Sequence, residues 1–176
     1  MRIRIATSLD RDDVRDVQLD AFPKGEREAV AKPALDLLSE NTTPQTIAWV
    51  AEIEGAVVGH MAFSPVTIGS NENAQGYILA PLGVKPGCQN RRIGSALIKS
   101  GIQQLSEMDV NILFVYGDPN YYSRFGFSAD AARRYTPPYR LQYPFGWQAI
   151  VLNECRSEES PVKIACVTSL CDPGLW

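Results

Sequence analysis

Histidine is nearly missing from this chain, with one in 176 residues, and its four cysteines, Cys88, Cys155, Cys166 and Cys171, include no C-x-x-C pair. That combination cannot assemble a Cys/His zinc set, so no metal is expected, and free, mostly buried thiols in a reducing compartment are the implied state. Also absent is any apolar run approaching the roughly 18 to 20 residues that cross a bilayer, and the opening MRIRIATSLDRDD has no apolar signal core. The expected protein is therefore cytoplasmic, with no membrane partner. Positive charge is not in excess either: 17 Lys and Arg against 20 Asp and Glu give a net charge of −3. Nothing in the bulk electrostatics draws the chain toward nucleic acid, and any phosphate binding must be local. Neither G-x-G-x-x-G nor G-x-x-x-x-G-K-[ST] occurs, which weakens a Rossmann or nucleotide-hydrolysing reading. With no repeats, low-complexity tracts or dividing linkers, residues 1–176 are expected to form one domain, its core drawn from a composition that is 45% hydrophobic.

What is present alternates between two periods. RIRIA (Arg2 to Ala6) alternates polar and apolar as a strand does, and SLDRDDVRDVQLDAF follows with a cap at Ser8 and helically spaced Leu9, Val14, Val17 and Phe22. GEREAVAKPALDLLSE reads as one or two helical pieces that Pro33 opens or kinks. Strands are expected over Thr46 to Ile53 and Val57 to Ile68, joined as a hairpin at Glu54-Gly55, and again over Tyr77 to Val84, Asn111 to Gly117, Gln148 to Leu152 and Val162 to Val167. One helical turn precedes Gly126, and Tyr135 to Trp147, rich in proline and aromatics, reads as an ordered loop. The order β-α-α-β-β-β-α-β-α-β-β is that of a mixed α/β domain whose early strands are joined by short turns.

The stretch VKPGCQNRRIGSALIKSGIQQL changes midway from a broken polar loop to a helical pattern. Stepped by about 100° per residue, Ile93, Leu97, Ile98, Gly101, Ile102 and Leu105 fall on one half of a helix and Arg92, Ser95, Lys99, Gln103 and Ser106 on the other. A helix starting near Arg91 or Arg92 has unpaired N–H groups and a positive dipole end in its first turn, and Gly94 removes a side chain that would keep a ligand from the backbone. Such a terminus after a strand suits a phosphate or pyrophosphate, with Lys85, Arg91 and Arg92 adding charge, although an ordinary surface helix with solvated arginines fits the same letters. Cys88 precedes those arginines but has no histidine or acid near it in sequence, and it reads as loop filler rather than nucleophile.

VKPGCQNRRIGSALI resembles the acetyl-CoA-binding motif of the GNAT N-acetyltransferase superfamily, V-x-P-x-x-[QR]-x-x-G-x-[GA], matched at Val84, Pro86, Gln89 and Gly94. VVGHMAFSPVTI, LAPLGVKP and DPNYYSRFGF are similar to the YhbS-like branch, and the element order agrees from residue 2 to about 127. The resemblance implies the GNAT fold, an α/β (α+β) domain whose mixed central sheet has splayed middle strands. It further implies that acetyl-CoA is the co-substrate, with Leu82, Gly83 and Val84 serving its pantetheine arm. Gln89 and the backbone of Asn90, Arg91, Arg92, Ile93, Gly94 and Ser95 would hold its pyrophosphate. Arg92 stands where the family pattern has glycine. A Cβ there crowds the pyrophosphate if the backbone needs positive φ, whereas a side chain folded back adds a counter-charge; tolerance is the expectation.

The implied activity is transfer of the acetyl group to a primary amine by direct attack, which needs a free amine, an oxyanion donor and an acid for the leaving thiolate. Tyr122, four residues before Gly126, falls where the family places its tyrosine acid beside the cofactor; Tyr121 is the alternative if the register slips, and a mere wall of the slot is the alternative role. The oxyanion donor is expected to be the N–H of Leu82 or Val84. Glu26 and Glu28 lie in the segment that lines the acceptor side in this family and are the candidate bases, while His60, inside a hairpin, reads as a hydrogen-bonded structural histidine. Tyr135, Tyr139, Tyr143 and Trp147 either close an acceptor pocket or pack a long loop. The acceptor is a small-molecule or peptide amine, and the chain a monomer or homodimer. A catalytically idle acyl-CoA-binding regulator would keep the Val84 to Ser95 cradle without an acid; a pure interaction module would need no cradle.

Overall fold

Alternation in the first residues yields β1 (Arg2–Ile5), and its Arg4 ties the following turn in place by bonding Asp10 and Glu52, both at 2.6 Å. The computed structural model describes residues 1–70, 75–154 and 161–176; Cys155 and part of the polar loop before Tyr77 lie outside the described residues. The cap of the first helical segment is Thr7 rather than Ser8: its hydroxyl accepts from the Leu9 N–H while Asp10 accepts from the Thr7 N–H, a reciprocal box that Ser8, one residue into the turn, is not positioned to make. A short 3-10 turn then runs into α1 (Arg11–Ala21). α2 (Arg27–Leu37) is one helix with Pro33 inside it; the carbonyl deprived of a donor belongs to Ala29, which is exposed.

β2 (Ile47–Ile53) and β3 (Ala56–Ile68) form the expected hairpin, with Glu54 at φ 52° and Gly55 at φ 81°, the left-handed pair that matches the twist of its strands. β4 (Gly76–Val84), α3 (Ile93–Glu107) and β5 (Ile112–Tyr116) follow. The expected helical turn is α4 (Pro119–Tyr122), and α5 (Ala129–Ala132), β6 (Tyr135–Thr136), β7 (Trp147–Val151) and β8 (Val162–Cys166) complete the chain's regular elements. α5 was not expected: four residues are too few for a periodic signal, and its start is fixed by Ser128 accepting from the Ala131 N–H. Trp147, assigned above to the aromatic loop, opens β7 instead.

The sheet runs β1-β2-β3-β4-β5-β7, with β8 on the far end of β3 and β6 beside β8. β4 pairs antiparallel with β3 along most of its length but parallel with β5 only from Gly76–Leu79 against Ile112–Val115. Beyond Leu79 the two strands part. Pro81 has no N–H to give a neighbour, and β5 ends at Tyr116, after which Asp118 caps α4. α3 lies on one face, burying Ile93, Leu97, Ile98 and Leu105 against Met61, Phe63 and Leu113; at about 1.5 to 3 kcal/mol per side chain this is a main anchor of that layer. Gly101 sits so close that a Cβ there would lie 2.0 Å from the Phe63 ring. α1 and α2 cover the other face through Val14, Val17 and Ala34 on Val50 and Val57.

Under that second layer His60 is fully buried, bonded through Nδ1 to the Gln18 amide at 2.8 Å, as expected of a structural histidine. Burial lowers its pKa from 6.5 to about 3, with Asp10 pulling weakly the other way. The unfolded chain therefore takes up a proton as pH falls below about 6.5, while the native state does not until about 3. Stability should fall with acid across that window, by at most about 1.4 kcal/mol per pH unit. Because this is the only histidine, urea unfolding of His60→Asn between pH 6.5 and 5 should lose the slope. The separate loss as Asp10 titrates, from 3.8 down to about 2 because Arg4 bonds its carboxylate, should remain.

Candidate active site

Where β4 leaves β5, its backbone offers an unpaired edge. The Lys85 N–H bonds the Val58 carbonyl at 2.9 Å and Gly83 stands opposite His60. In an antiparallel pair, bonded and non-bonded positions alternate, so Leu82 and Val84 turn their N–H and C=O groups toward the open side. The Gln89 amide reaches that edge and donates to the Val84 carbonyl at 3.0 Å. Gly83 is required from the other face, since a Cβ would lie 2.8 Å from Gln18 Oε1 on α1.

On one side of this edge, between Leu82, Val84 and the start of α3, is a hollow of about 420 Å³. α3 begins at Ile93, one or two residues later than its pattern suggests, because Arg92 adopts φ 62° and serves as an N-cap without a side-chain bond to the helix. The first-turn N–H groups thus keep no side-chain cap. A left-handed non-glycine residue costs about 1 kcal/mol or more, and Asn90 carries a second, at φ 60°. Arg92 and Arg124 are the basic side chains lining the hollow; Arg91 is exposed and is not among its walls, nor is Lys85, while Cys88 is. Gly94 has a reason beyond backbone access: a Cβ there would lie 2.6 Å from the Tyr121 hydroxyl. Ser95 lines the hollow beside it, and Arg124 spreads its guanidinium 4.5 Å above the Tyr121 ring while donating from Nε to the Tyr121 carbonyl.

On the other side an inner cavity of about 350 Å³ adjoins an outer one of about 660 Å³, and Leu82 borders both the inner cavity and the hollow. The single turn of α4 sends its two tyrosines to different sides, Tyr121 to the hollow and Tyr122 to the inner cavity. Tyr122 lies against Gly117, where a Cβ would meet its ring at 2.5 Å, and edge-on to Phe127 at 5.7 Å. Burial pushes the Tyr122 phenol well above its usual pKa, with Tyr121 adding to the shift, so it is protonated at neutral pH.

Glu26 lines the outer cavity, whereas Glu28 is 75% exposed, 3.6 Å from Arg27, and lines neither cavity. The aromatic loop divides between the two roles left open for it. Tyr135 and Trp147 pack on Phe114 at 5.0 and 5.2 Å, while Tyr143 stands on the rim of the outer cavity with its N–H bonded to the Tyr116 hydroxyl. Tyr139 packs near Trp176. Among the described residues no group of three His, Cys, Asp or Glu side chains is placed to hold a metal ion, and no helix is long and apolar enough to cross a membrane.

Residues 11–127 match the acetyltransferase (GNAT) family. The chain belongs to the GNAT acetyltransferases. YjhQ of Escherichia coli K12, an uncharacterised N-acetyltransferase, is 35% identical over 140 residues, covering 78% of this chain and 75% of YjhQ. YhbS of the same strain, also an uncharacterised N-acetyltransferase, is 33% identical over 132 residues, 74% of this chain and 75% of its own. The crystal structure of E. coli YhbS in complex with CoA aligns at a TM-score of 0.77 and 26% identity, over 92% of this chain and 88% of that one. A GNAT family acetyltransferase from Brucella melitensis in complex with acetyl-CoA aligns at 0.69 and 28%, over 96% of both. The GNAT fold expected from the sequence is the fold observed.

Several residues around these cavities carried no signal in the sequence. Leu170, Leu175 and Trp176 wall the inner cavity, and Trp176 stacks on Tyr116 at 6.2 Å; they come from the stretch where the family resemblance fades. Pro33, read above only as a helix breaker, faces the same cavity, and Arg124 lines the hollow from a position after the tyrosines. The meeting of Gly94 and Tyr121 gives a test by double-mutant cycle. Gly94→Ala should destabilise the fold by about 1 to 3 kcal/mol through overpacking. Tyr121→Phe, which removes the hydroxyl that a Gly94 Cβ would meet, should cost less in the Gly94→Ala background than in the parent chain, or even restore stability there. Urea unfolding of the four proteins measures that coupling.

Proposed function

We propose that this acetyltransferase moves an acetyl group from acetyl-CoA to a primary amine by direct attack. The observation that carries the reading is the parted edge of β4, with a hollow at an uncapped helix N-terminus on one side and a cavity lined by Tyr122 on the other. The residues present suit the co-substrate: an open strand edge for an amide-bearing arm, and first-turn N–H groups with Arg92 and Arg124 for a pyrophosphate. CoA and acetyl-CoA occupy the YhbS and Brucella structures, which supports the same partner here.

When bound, acetyl-CoA supplies a thioester carbonyl open to attack by an amine. In this reading Leu82, Gly83 and Val84 align the pantetheine arm, and Gln89 fixes the strand end by its bond to the Val84 carbonyl. The N–H of Leu82 or Val84, directed to the open edge, donates to the carbonyl oxygen as charge develops on it. Gln89 and the backbone from Asn90 to Ser95 hold the diphosphate. Tyr122, protonated at rest, gives its proton to the leaving sulfur; the same dry surroundings make the thiolate a stronger base than in water. Glu26, on the wall of the outer cavity, takes the ammonium proton through solvent, and its position favours it over Glu28.

Tyr122→Phe keeps the ring and its packing but removes the donor. The acetyl-CoA-induced rise in Tm should be preserved while kcat falls by roughly 10²-fold or more. The defect should shrink with an acyl donor whose leaving thiol is more acidic. If Tyr121→Phe shows this behaviour and Tyr122→Phe does not, the acid sits on the other tyrosine.

Arg92→Gly separates strain from charge. Relief of the left-handed cost is partly offset by the freer unfolded chain, so fold stability should stay level or rise by up to about 1 kcal/mol. Coenzyme A affinity should fall by on the order of 1 kcal/mol, more at low salt, as the counter-charge is lost. Calorimetric titration that finds tighter binding would identify Arg92 as an obstruction.

A further inference from the structure

Charge is divided across β4. Among the described residues the hollow on the α3 side is lined by Arg92 and Arg124 and no acid, whereas the only charged side chains lining the two cavities on the other side are Glu26 and Asp118. Asp118 keeps one oxygen on the Asn120 N–H, as the cap of α4, and stands on the wall of both cavities. A carboxylate or phosphate entering there would shed its water and meet like charge with no cation to pair it, which is among the costlier arrangements available to a ligand. An ammonium group meets the opposite conditions.

The rest of the walls describe the body attached to that ammonium. Phe22, Val30, Pro33, Leu170 and Leu175 make the inner cavity largely apolar, and its volume lies in the range of small-molecule sites. At the rim Tyr143 and Phe145 are 53% and 67% exposed with rings 5.8 Å apart, a pair of large aromatics held in solvent beside Glu26. Aromatic faces next to a carboxylate attract a cation and cover an apolar group, and they offer nothing to an anion. Gln142 is the only side-chain amide on these walls among the described residues, too little to pair the successive N–H and C=O groups of a peptide.

We propose that the acceptor is a small cationic amine with an apolar or aromatic body and no carboxylate or phosphate. This rests on the amine-acetylation reading and narrows it. Matched pairs test it, phenethylamine against phenylalanine and tryptamine against tryptophan, each titrated into the CoA-saturated protein by calorimetry and each assayed as acceptor with acetyl-CoA. The amine of each pair should bind more tightly, with kcat/KM about tenfold or more above its amino acid. Glu26→Lys should narrow the ratio of amine to amino-acid binding affinities, read by calorimetry, while leaving CoA affinity unchanged. Equal or better binding of the amino acids overturns the proposal, as does failure of either amine to bind at millimolar concentration or an unchanged binding ratio in Glu26→Lys. If the amines bind in preference but none is acetylated while acetyl-CoA still binds, the acceptor class stands and the transfer reading falls.

Discussion

A parallel strand pair that stops bonding halfway along is the constraint on which this molecule depends. β4 and β5 hold each other from Gly76 to Leu79 and then separate, so the N–H and C=O groups of Leu82 and Val84, which point away from β3, face the gap, where the Gln89 amide reaches the Val84 carbonyl. Leaving such groups unmade inside a protein costs about 1 to 3 kcal/mol each, which is tolerable only where water or a ligand reaches them. The opening therefore creates both a binding edge and the solvent access that makes it affordable to the fold. Its position is held by neighbours at a distance: β7 pairs with β5 to its last residue, and the Gly117 N–H bonds the Gly146 carbonyl at 3.0 Å, so β5 cannot follow β4 across the gap.

The elements that form the gap were legible because their signals are local. Alternation marked the strands, Glu54-Gly55 marked the hairpin, and the spacing from Ile93 to Leu105 marked α3 with its buried face. The hollow at the start of α3 was legible for the same reason, since strand, loop and helix start are contiguous. Sequence alone did not disclose which side of the gap each tyrosine faces. That depends on α4 starting at Pro119 behind its Asp118 cap, a matter of one residue in register. Nor did it disclose the wall contributed by Leu170 and Trp176, which reach the cavity through long-range packing on Tyr116 and the core rather than through any periodic pattern. Arg92 takes the left-handed conformation that a glycine at its place in the family pattern suggests.

Two glycines connect these points. Gly94 and Gly117 are far apart in the chain, and each is small because a tyrosine of α4 lies where its side chain would be: a Cβ would lie 2.6 Å from Tyr121 at the first and 2.5 Å from Tyr122 at the second. One short turn is thereby wedged between the start of α3 and the end of β5, the two elements that flank the gap. Moving α4 closer to either glycine would drive a ring into backbone, and close-packed interiors resist that. The two aromatic side chains are thus registered against the same opening, one toward the basic hollow and one toward the acidic cavity, by steric exclusion on both sides. Chemistry that depends on a phenol standing within a fraction of an ångström of a reacting atom needs this kind of placement, and here it is supplied by residues that have no functional group at all.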